Sequence, residues 1–270
     1  MSTILQIENL SFAYEKSNIV LNDLSLKIQK GSINAVLGRN GCGKSTLLDC
    51  IINFNQYEEG IILLNGRNIR DFSNKELARN ISYISQSTII NMNFTVKEFI
   101  SFGRNPYLKL GSSPSKEDYI KVSFIAKKCG VEHLLEKHIN KISGGERQLV
   151  FICRALVQET EVLIFDEPTA SLDFGNQYKL FDLLKLLQKE GKTIIFTTHN
   201  PNQVLELDSN VIVLGDGKIL CNGKASEVLN ATLLEKIYDY KFIKEHNVFR
   251  YSKYEKQKVN NGGKPTKNIG

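Results

Sequence analysis

The stretch Gly38-Arg39-Asn40-Gly41-Cys42-Gly43-Lys44-Ser45-Thr46 limits what this chain can fold into more than any other. It follows the apolar run Ile33-Asn34-Ala35-Val36-Leu37 and leads into Leu47, Leu48, Ile51 and Ile52 at helical spacing, which reads as strand, glycine loop and helix. Glycines in such a loop let backbone N–H groups turn inward and approach phosphate oxygens without a Cβ in the way. Lys44 offers a positive charge to the β- and γ-phosphates and Ser45 a hydroxyl to Mg²⁺. The helix behind the loop directs unpaired N–H groups and partial positive charge at the same anion. The spacing therefore predicts a Mg-ATP site built from residues 38–46.

Two more apolar runs, Val162-Leu163-Ile164-Phe165 and Thr193-Ile194-Ile195-Phe196, share the β-branched and aromatic character of the first. Continuous apolar runs of this length suit central parallel strands covered on both faces by helices. Each ends in polar residues: the glycine loop, Asp166-Glu167, and Thr197-Thr198-His199. Ligands of open α/β sheets gather at the carboxyl ends of the strands, so the three ends define one expected site. Asp166 is expected to act on Mg²⁺, directly or through water, and Glu167 to orient or deprotonate an attacking water. The run Asp166-Glu167-Pro168 also fits an ordinary helix start. His199 precedes Asn200-Pro201, an N-cap and first-turn proline, which sets it at a strand-to-helix corner with its ring toward a γ-phosphate.

The alternating segments Ile4–Leu10 and Leu24–Ile28 predict antiparallel strands ahead of the loop, with Tyr14 either stacking on an adenine ring or serving as a strand aromatic. Gly60-Ile61-Ile62-Leu63-Leu64-Asn65-Gly66 reads as a strand closed by an Asn-Gly turn, and Ile81–Gln86 as a further strand. Residues 95–158 change to helices and loops, including a capping pattern at Ser115-Lys116-Glu117-Asp118, so a helical insert is expected to interrupt the core. Five scattered cysteines, without CxxC or Cys/His metal spacing, suit a reducing compartment. Cys42, inside a ring of amide donors beside Lys44, is expected to have a lowered thiol pKa and to be the most reactive of the five.

The formal net charge of +6 is concentrated at one end. Lys241, Lys244, Arg250, Lys253, Lys256, Lys258, Lys264 and Lys267, against Glu245 and Glu255, account for all of it. A near-neutral remainder argues against a nucleic-acid-binding core, and the basic segment reads as a solvated terminus. No apolar stretch reaches bilayer-spanning length and the first ten residues do not resemble a signal peptide, so a soluble chain is expected.

Ile142-Ser143-Gly144-Gly145-Glu146-Arg147-Gln148 opens a helix with a second Ser-Gly-Gly anion site, more than one nucleotide needs. It is either a glycine-containing helix cap or a clamp for a nucleotide held by another copy of the chain. With this segment the sequence resembles the ATP-binding cassette (ABC) transporter ATPases from about Ile4 to Tyr240. The resemblance rests on an ordered set: the aromatic Tyr14, Walker A at Gly38–Thr46, the Q-loop Gln86, the signature Ser143-Gly144-Gly145-Glu146, Walker B Val162–Asp166 with Glu167, the D-loop Ser171-Leu172-Asp173 and the H-loop His199. It implies a P-loop NTPase (RecA-like) α/β core, an N-terminal antiparallel β subdomain and a helical subdomain over about 90–158, within a domain of residues 1–240. Residues 241–270 are expected to form a basic tail with a disordered end.

The same resemblance implies an ATPase with catalytic Glu167, His199 and Gln86. Its metal residues are Ser45, Gln86 and Asp166; its nucleotide contacts are Tyr14, Gly38, Arg39, Asn40, Gly41, Cys42, Gly43, Lys44, Ser45, Thr46, Ser143, Gly144 and Gly145. The segments Thr95-Val96-Lys97-Glu98 and Gly103-Arg104-Asn105-Pro106-Tyr107 look like those of the importers for ferric siderophores, haem and vitamin B12, although Arg104-Asn105-Pro106 also fits a simple turn. That likeness implies a homodimer of ATPase subunits on transmembrane permease subunits, at the cytoplasmic face of the membrane. An extracytoplasmic substrate-binding protein would act indirectly, and no nucleic acid is expected. The alternative is a soluble ABC-type ATPase that acts as an ATP-switched clamp on nucleic acid or ribosomes.

Overall fold

Alternating apolar residues near the N-terminus form two long strands, β1 (Thr3–Glu15) and β2 (Asn18–Gln29), followed by β3 (Ile33–Leu37) and α1 (Lys44–Ile51). Next come β4 (Glu59–Leu64), β5 (Arg67–Asn68), α2 (Asn74–Asn80), β6 (Ile81–Ile84), α3 (Val96–Ser101), α4 (Lys116–Lys128) and α5 (Gly144–Leu156). The strand and helix alternation then resumes with β7 (Val162–Phe165), α6 (Phe174–Lys189), β8 (Thr193–Thr198), α7 (Pro201–Glu206), β9 (Asn210–Gly215), β10 (Lys218–Lys224) and α8 (Ala225–Val228). Last are α9 (Ala231–Tyr238), β11 (Phe242–Glu245) and β12 (Val248–Tyr251). This computed structural model describes residues 2–15, 18–85, 93–109, 111–245 and 248–251.

The three apolar runs pair in parallel as expected. The main sheet runs β10-β9-β3-β8-β7-β6, with β10 antiparallel on β9 at its edge and the other neighbours parallel. Ile33 pairs with Ile194 and Leu37 with Thr198 across β3 and β8, while Phe165 pairs with Phe196 across β7 and β8. This register brings the ends of β3 and β8 level and ends β7 two residues earlier, on the same edge, and all residues of these three strands are buried. A second sheet, β2-β1-β4-β5, is antiparallel. Its inward residues Leu5, Ile7, Leu10, Leu26, Ile28, Ile62 and Leu64 share one core cluster with Leu47 and Leu48 of α1, so α1 is packed from its sequence-determined apolar face.

The helical insert is held by local chemistry more than by size. α3, α4 and α5 each start with a reciprocal capping box, Thr95 with Glu98, Ser115 with Asp118 and Ser143 with Glu146. Between α3 and α4, Phe102–Tyr107 forms a 3₁₀ turn. Gly103 there lies so close to α5 that a Cβ would sit 2.6 Å from Val157 Cγ1 and collide with the Arg154 carbonyl. Arg104 is buried in the same turn, donating to Asp118 Oδ1 at 2.8 Å, Glu159 Oε2 at 2.8 Å and the Val157 carbonyl at 2.9 Å. Gly103-Arg104-Asn105-Pro106 is thus a turn, and one that ties α4 to the end of α5.

The described residues up to Leu229 and those from Asn230 to Tyr251 form separate compact units. The second begins at Asn230, earlier in the chain than the 240/241 boundary expected from sequence. Within it β11 and β12 pair antiparallel, with the Phe242 and Tyr251 rings 4.9 Å apart, so the first part of the basic segment is a hairpin and not a free tail.

Candidate functional site

Three strand ends build the site. After β3 the chain turns through Gly38–Gly43, and Gly43, at φ +103°, is the N-cap of α1. That left-handed conformation is one an L side chain resists. Gly38 has no room for a side chain either, because a Cβ would lie 2.6 Å from Cys42 Sγ. The loop curls over Lys44, whose ammonium donates to the Gly38 carbonyl at 3.0 Å and the Arg39 carbonyl at 3.1 Å. Lys44 is buried, whereas Arg39, Asn40, Gly41 and Ser45 are exposed around it.

The ends of β7 and β8 deliver the acids and the imidazole. Glu167 Oε1 lies 3.6 Å from Lys44 Nζ and 3.4 Å from His199 Nδ1, so one carboxylate oxygen joins the loop lysine to the histidine. The Glu167 side chain is only 11% exposed. Its backbone takes a left-handed φ of +45° and its N–H donates to Thr197 Oγ1 at 2.8 Å. The Thr197 hydroxyl in turn donates to Asp166 Oδ1, so one threonine fixes two neighbouring carboxylates. Asp166 is 4% exposed and its N–H donates to the Ile84 carbonyl of β6 at 2.8 Å. The corner after β8 is pinned by Asn200, which caps α7 ahead of Pro201, and by Thr198, whose hydroxyl donates to Gln203 Oε1 at 2.7 Å.

Sequence reasoning gave no role to three participants besides Gln203. Thr197 becomes visible only once β7 and β8 are in register. Asp49 on α1 and Tyr83 on β6 form the other pair, with the phenol donating to the carboxylate beside Asp166. Burial first, then the Asp166 charge, pushes the Asp49 carboxyl above the ordinary range, against the lowering effect of the Tyr83 hydrogen bond. Burial, Asp166 and Asp49 together push the Tyr83 phenol up.

Tyr14 stands at the mouth of this region. It is 61% exposed, packs edge-on against Phe12 at 4.9 Å and brings its hydroxyl within 3.3 Å of Thr46 Oγ1 on α1. With Ser11, Ala13, Ile19 and Gln56 it lines a cavity of about 480 Å³. The lowered thiol pKa expected for Cys42 is overturned. Burial raises its thiol pKa, outweighing the Lys44 charge and the Lys44 and Cys42 N–H groups, which lower it. Gln86 lies outside the described residues.

Ser143, Gly144 and Gly145 open α5 next to the Ser171-Leu172-Asp173 loop: a Cβ on Gly145 would lie 3.3 Å from Asn176 Nδ2 and 3.9 Å from Leu172 Cδ2. The Ser143 hydroxyl and N–H both donate to Glu146 Oε2 at 2.8 Å, and the Glu146 N–H returns to Ser143 Oγ at 3.3 Å. The Ser143 N–H and then its hydroxyl hold the Glu146 carboxyl below the ordinary range. Ser143 therefore has an intramolecular partner within its own helix cap.

This geometry has known counterparts. The ABC transporter family model matches residues 21–170, and an AAA domain model (putative AbiEii toxin, Type IV TA system) matches 138–205. The ferric enterobactin transport ATP-binding protein FepC of Escherichia coli is 36% identical over 87% of this chain and 86% of its own length. The petrobactin import ATP-binding protein YclP of Bacillus subtilis is 33% identical over 87% of this chain and 93% of its own. Among solved structures, the ADP conformation of an ATP-binding cassette of an ABC transporter superposes with TM-score 0.79 at 26% identity, covering 88% of this chain and 98% of that one. The cbiO1 subunit of the cbiONQ transporter complex of Clostridium perfringens gives TM-score 0.75 at 33% identity, covering 84% and 91%. With the ordered motifs, the adjacent strand ends and these relatives in agreement, the chain belongs to the ABC transporter family as one of its ATP-binding proteins, an ABC-type ATPase.

Proposed function

We propose that this chain is the ATP-hydrolysing subunit of an importer for ferric siderophores or related iron chelates, haem or cobalamin. It would work as a homodimer beneath transmembrane permease subunits at the cytoplasmic face of the membrane, supplied by an extracytoplasmic binding protein. The observation that carries the catalytic part is the Lys44–Glu167–His199 chain of contacts at 3.6 and 3.4 Å, with Lys44 held by the carbonyls of the glycine loop. The transport part is supported by relatives named for ferric enterobactin, petrobactin and iron(3+)-hydroxamate. Their names favour transport over the nucleic-acid or ribosome clamp.

Lys44 is already aimed by two loop carbonyls, so triphosphate binding needs it to exchange one contact, that with Glu167. As the γ-phosphate takes the ammonium, Glu167 is released to orient a water and accept its proton. His199, beside the same oxygen, holds that carboxylate in place and presents its ring toward the phosphate. Ser45 and Asp166, with Gln86, would hold Mg²⁺. Hydroxyl and carboxylate oxygens suit that hard cation, and a carboxylate as buried as Asp166 calls for positive charge nearby. When bound, the ion supplies neutralisation of phosphate charge.

Tyr14 would stack on the adenine, and the N–H groups of 38–46 would bind the phosphates. Ser143, Gly144 and Gly145 of a second copy would complete each pocket, the Ser143 hydroxyl exchanging Glu146 for a phosphate oxygen. Loss of the γ-phosphate would then reopen the dimer.

Purification of a tagged chain from solubilised membranes tests the assignment. Recovery of a polytopic membrane subunit is expected; recovery of RNA without such a subunit would contradict it.

A further inference from the structure

Packing alone does not hold Glu167 Oε1 and His199 Nδ1 at 3.4 Å. The His199 side chain is 57% exposed, and Glu167 takes a left-handed φ of +45° that an L side chain resists. Backbone in that region persists only where its surroundings over-determine it. Ahead of the strained residue, its own N–H is tied to Thr197 Oγ1 at 2.8 Å. Behind it, Pro168 has no N–H to give, so the next anchor is the Thr169 hydroxyl.

Gln203, in the first turn of α7, reaches that anchor. Its Nε2 donates to Thr169 Oγ1 at 3.1 Å, and its Oε1 accepts from the Thr198 hydroxyl at 2.7 Å. The direction is fixed from the far end. The Asn200 N–H donates to Thr198 Oγ1 at 3.0 Å, which leaves the Thr198 hydrogen for Gln203 Oε1 and turns the amide nitrogen to Thr169. A ring closes: Glu167 to Thr169 along the chain, Thr169 to Gln203 to Thr198 through side chains, Thr198 to His199 along the chain, and His199 back to Glu167. The turn in which the Thr169 carbonyl accepts from the Leu172 N–H at 3.1 Å hangs from the same anchor.

We propose that Gln203 is a positioning residue for ATP hydrolysis. Its amide ties the segment after Glu167 to the corner that carries His199, and so sets the carboxylate and the ring at their working separation. Thr197 fixes Glu167 from one side and Gln203 from the other. The role deepens the catalytic reading of Glu167 and His199 and rests on it.

The test combines variants of the full chain with two readouts. Gln203→Met keeps the length of the side chain and removes both polar atoms, Thr169→Val removes the hydroxyl it holds, and Thr169→Ser keeps that hydroxyl. In Gln203→Met and Thr169→Val, kcat for ATP is expected to fall roughly ten- to a hundredfold, the cost of a small misplacement, while ATP affinity changes less than about twofold. Thr169→Ser is expected to restore the rate, and Gln203→Met combined with Thr169→Val to be no slower than Gln203→Met, since both remove one bond. In the nucleotide-free chain, amide hydrogen exchange of peptides spanning 167–172 is expected to rise in Gln203→Met. Wild-type exchange there, or equal losses of rate and ATP affinity, would overturn the proposal. Glu167→Gln separates the two readings. At the wild-type rate it would overturn the catalytic reading and the positioning role with it; a slow Glu167→Gln beside Gln203→Met at the wild-type rate would overturn the positioning role alone.

Discussion

Replacing Arg104 by Met removes a charge and five donors while keeping most of the side chain's volume, and the structure sets the size of the loss. Of its two acidic partners, Glu159 has a side chain 47% exposed and also pairs with Lys121 at 2.6 Å, so solvent and a second cation cover its loss. Asp118 differs: its side chain is 12% exposed and, apart from the Ser115 cap, its partner is Arg104 at 2.8 Å. Removing one partner of a buried pair costs about 3–5 kcal/mol, because the other is left charged and desolvated. The Val157 carbonyl, which accepts from Arg104 at 2.9 Å, loses a donor as well. We expect Arg104→Met to lose about 3 kcal/mol or more, a fall in Tm of roughly 10 °C. Urea unfolding followed by far-UV circular dichroism reads it.

Adding Asp118→Asn removes the stranded charge and keeps an acceptor for the Ser115 cap, so the double variant is expected to recover about half of the loss. Arg104→Lys is expected to rescue poorly, since one ammonium cannot reach three acceptors held by a planar fork. A loss below about 1 kcal/mol for Arg104→Met, or a double variant no more stable than the single one, would refute the reasoning.

Other perturbations have equally defined outcomes. Lys44→Ala is expected to weaken ATP binding by roughly ten- to a hundredfold, the worth of a charge-assisted contact, in an equilibrium titration; unchanged affinity would remove Lys44 from the phosphate site. Cys42, with its thiol raised by burial, is expected to alkylate slowly at neutral pH and to gain reactivity with pH beyond the usual thiol range; a fast neutral reaction, read by mass spectrometry, would contradict this. Burial pushes the Asp118 carboxyl up, but the Ser115 N–H, Arg104 and the Ser115 hydroxyl together hold it below its ordinary value. A folded pKa lowered in this way contributes stability that is present above about pH 4 and is lost as pH falls through the folded value. The urea midpoint of the wild-type chain should therefore fall in that acidic window more steeply than that of Asp118→Asn.

The sheet was legible in the sequence because its central strands are buried on both faces. Ile33–Leu37, Val162–Phe165 and Thr193–Phe196 show that burial as runs that are apolar except for Asn34 and Thr193, and they pair as β3-β8-β7. Lys44, Asp166, Glu167 and His199 were legible for the related reason that each sits at or just beyond the end of such a run. Contributors that depend on register were not: Thr197 acquires its role only because Phe196 lies opposite Phe165. Asp49 and Tyr83 meet across a helix and a strand far apart in sequence.

Cys42 was misjudged because its neighbours in sequence are a lysine and amides, whereas the burial that decides its pKa comes from folding. The Ser143–Glu146 capping box is visible as a spacing, yet its consequence, a serine hydroxyl already occupied within its own helix, emerges only from the geometry. The hairpin of 242–251 was hidden behind the charge of its own residues, which reads as solvation while Phe242 and Phe249 are buried.

In the proposed mechanism each working pocket needs Ser143, Gly144 and Gly145 from a second molecule. Sedimentation velocity of Glu167→Gln, which should keep ATP binding while slowing hydrolysis, tests it most directly. A monomer without nucleotide and a dimer with Mg-ATP are expected; a species that remains monomeric while saturated with bound ATP would contradict a shared pocket.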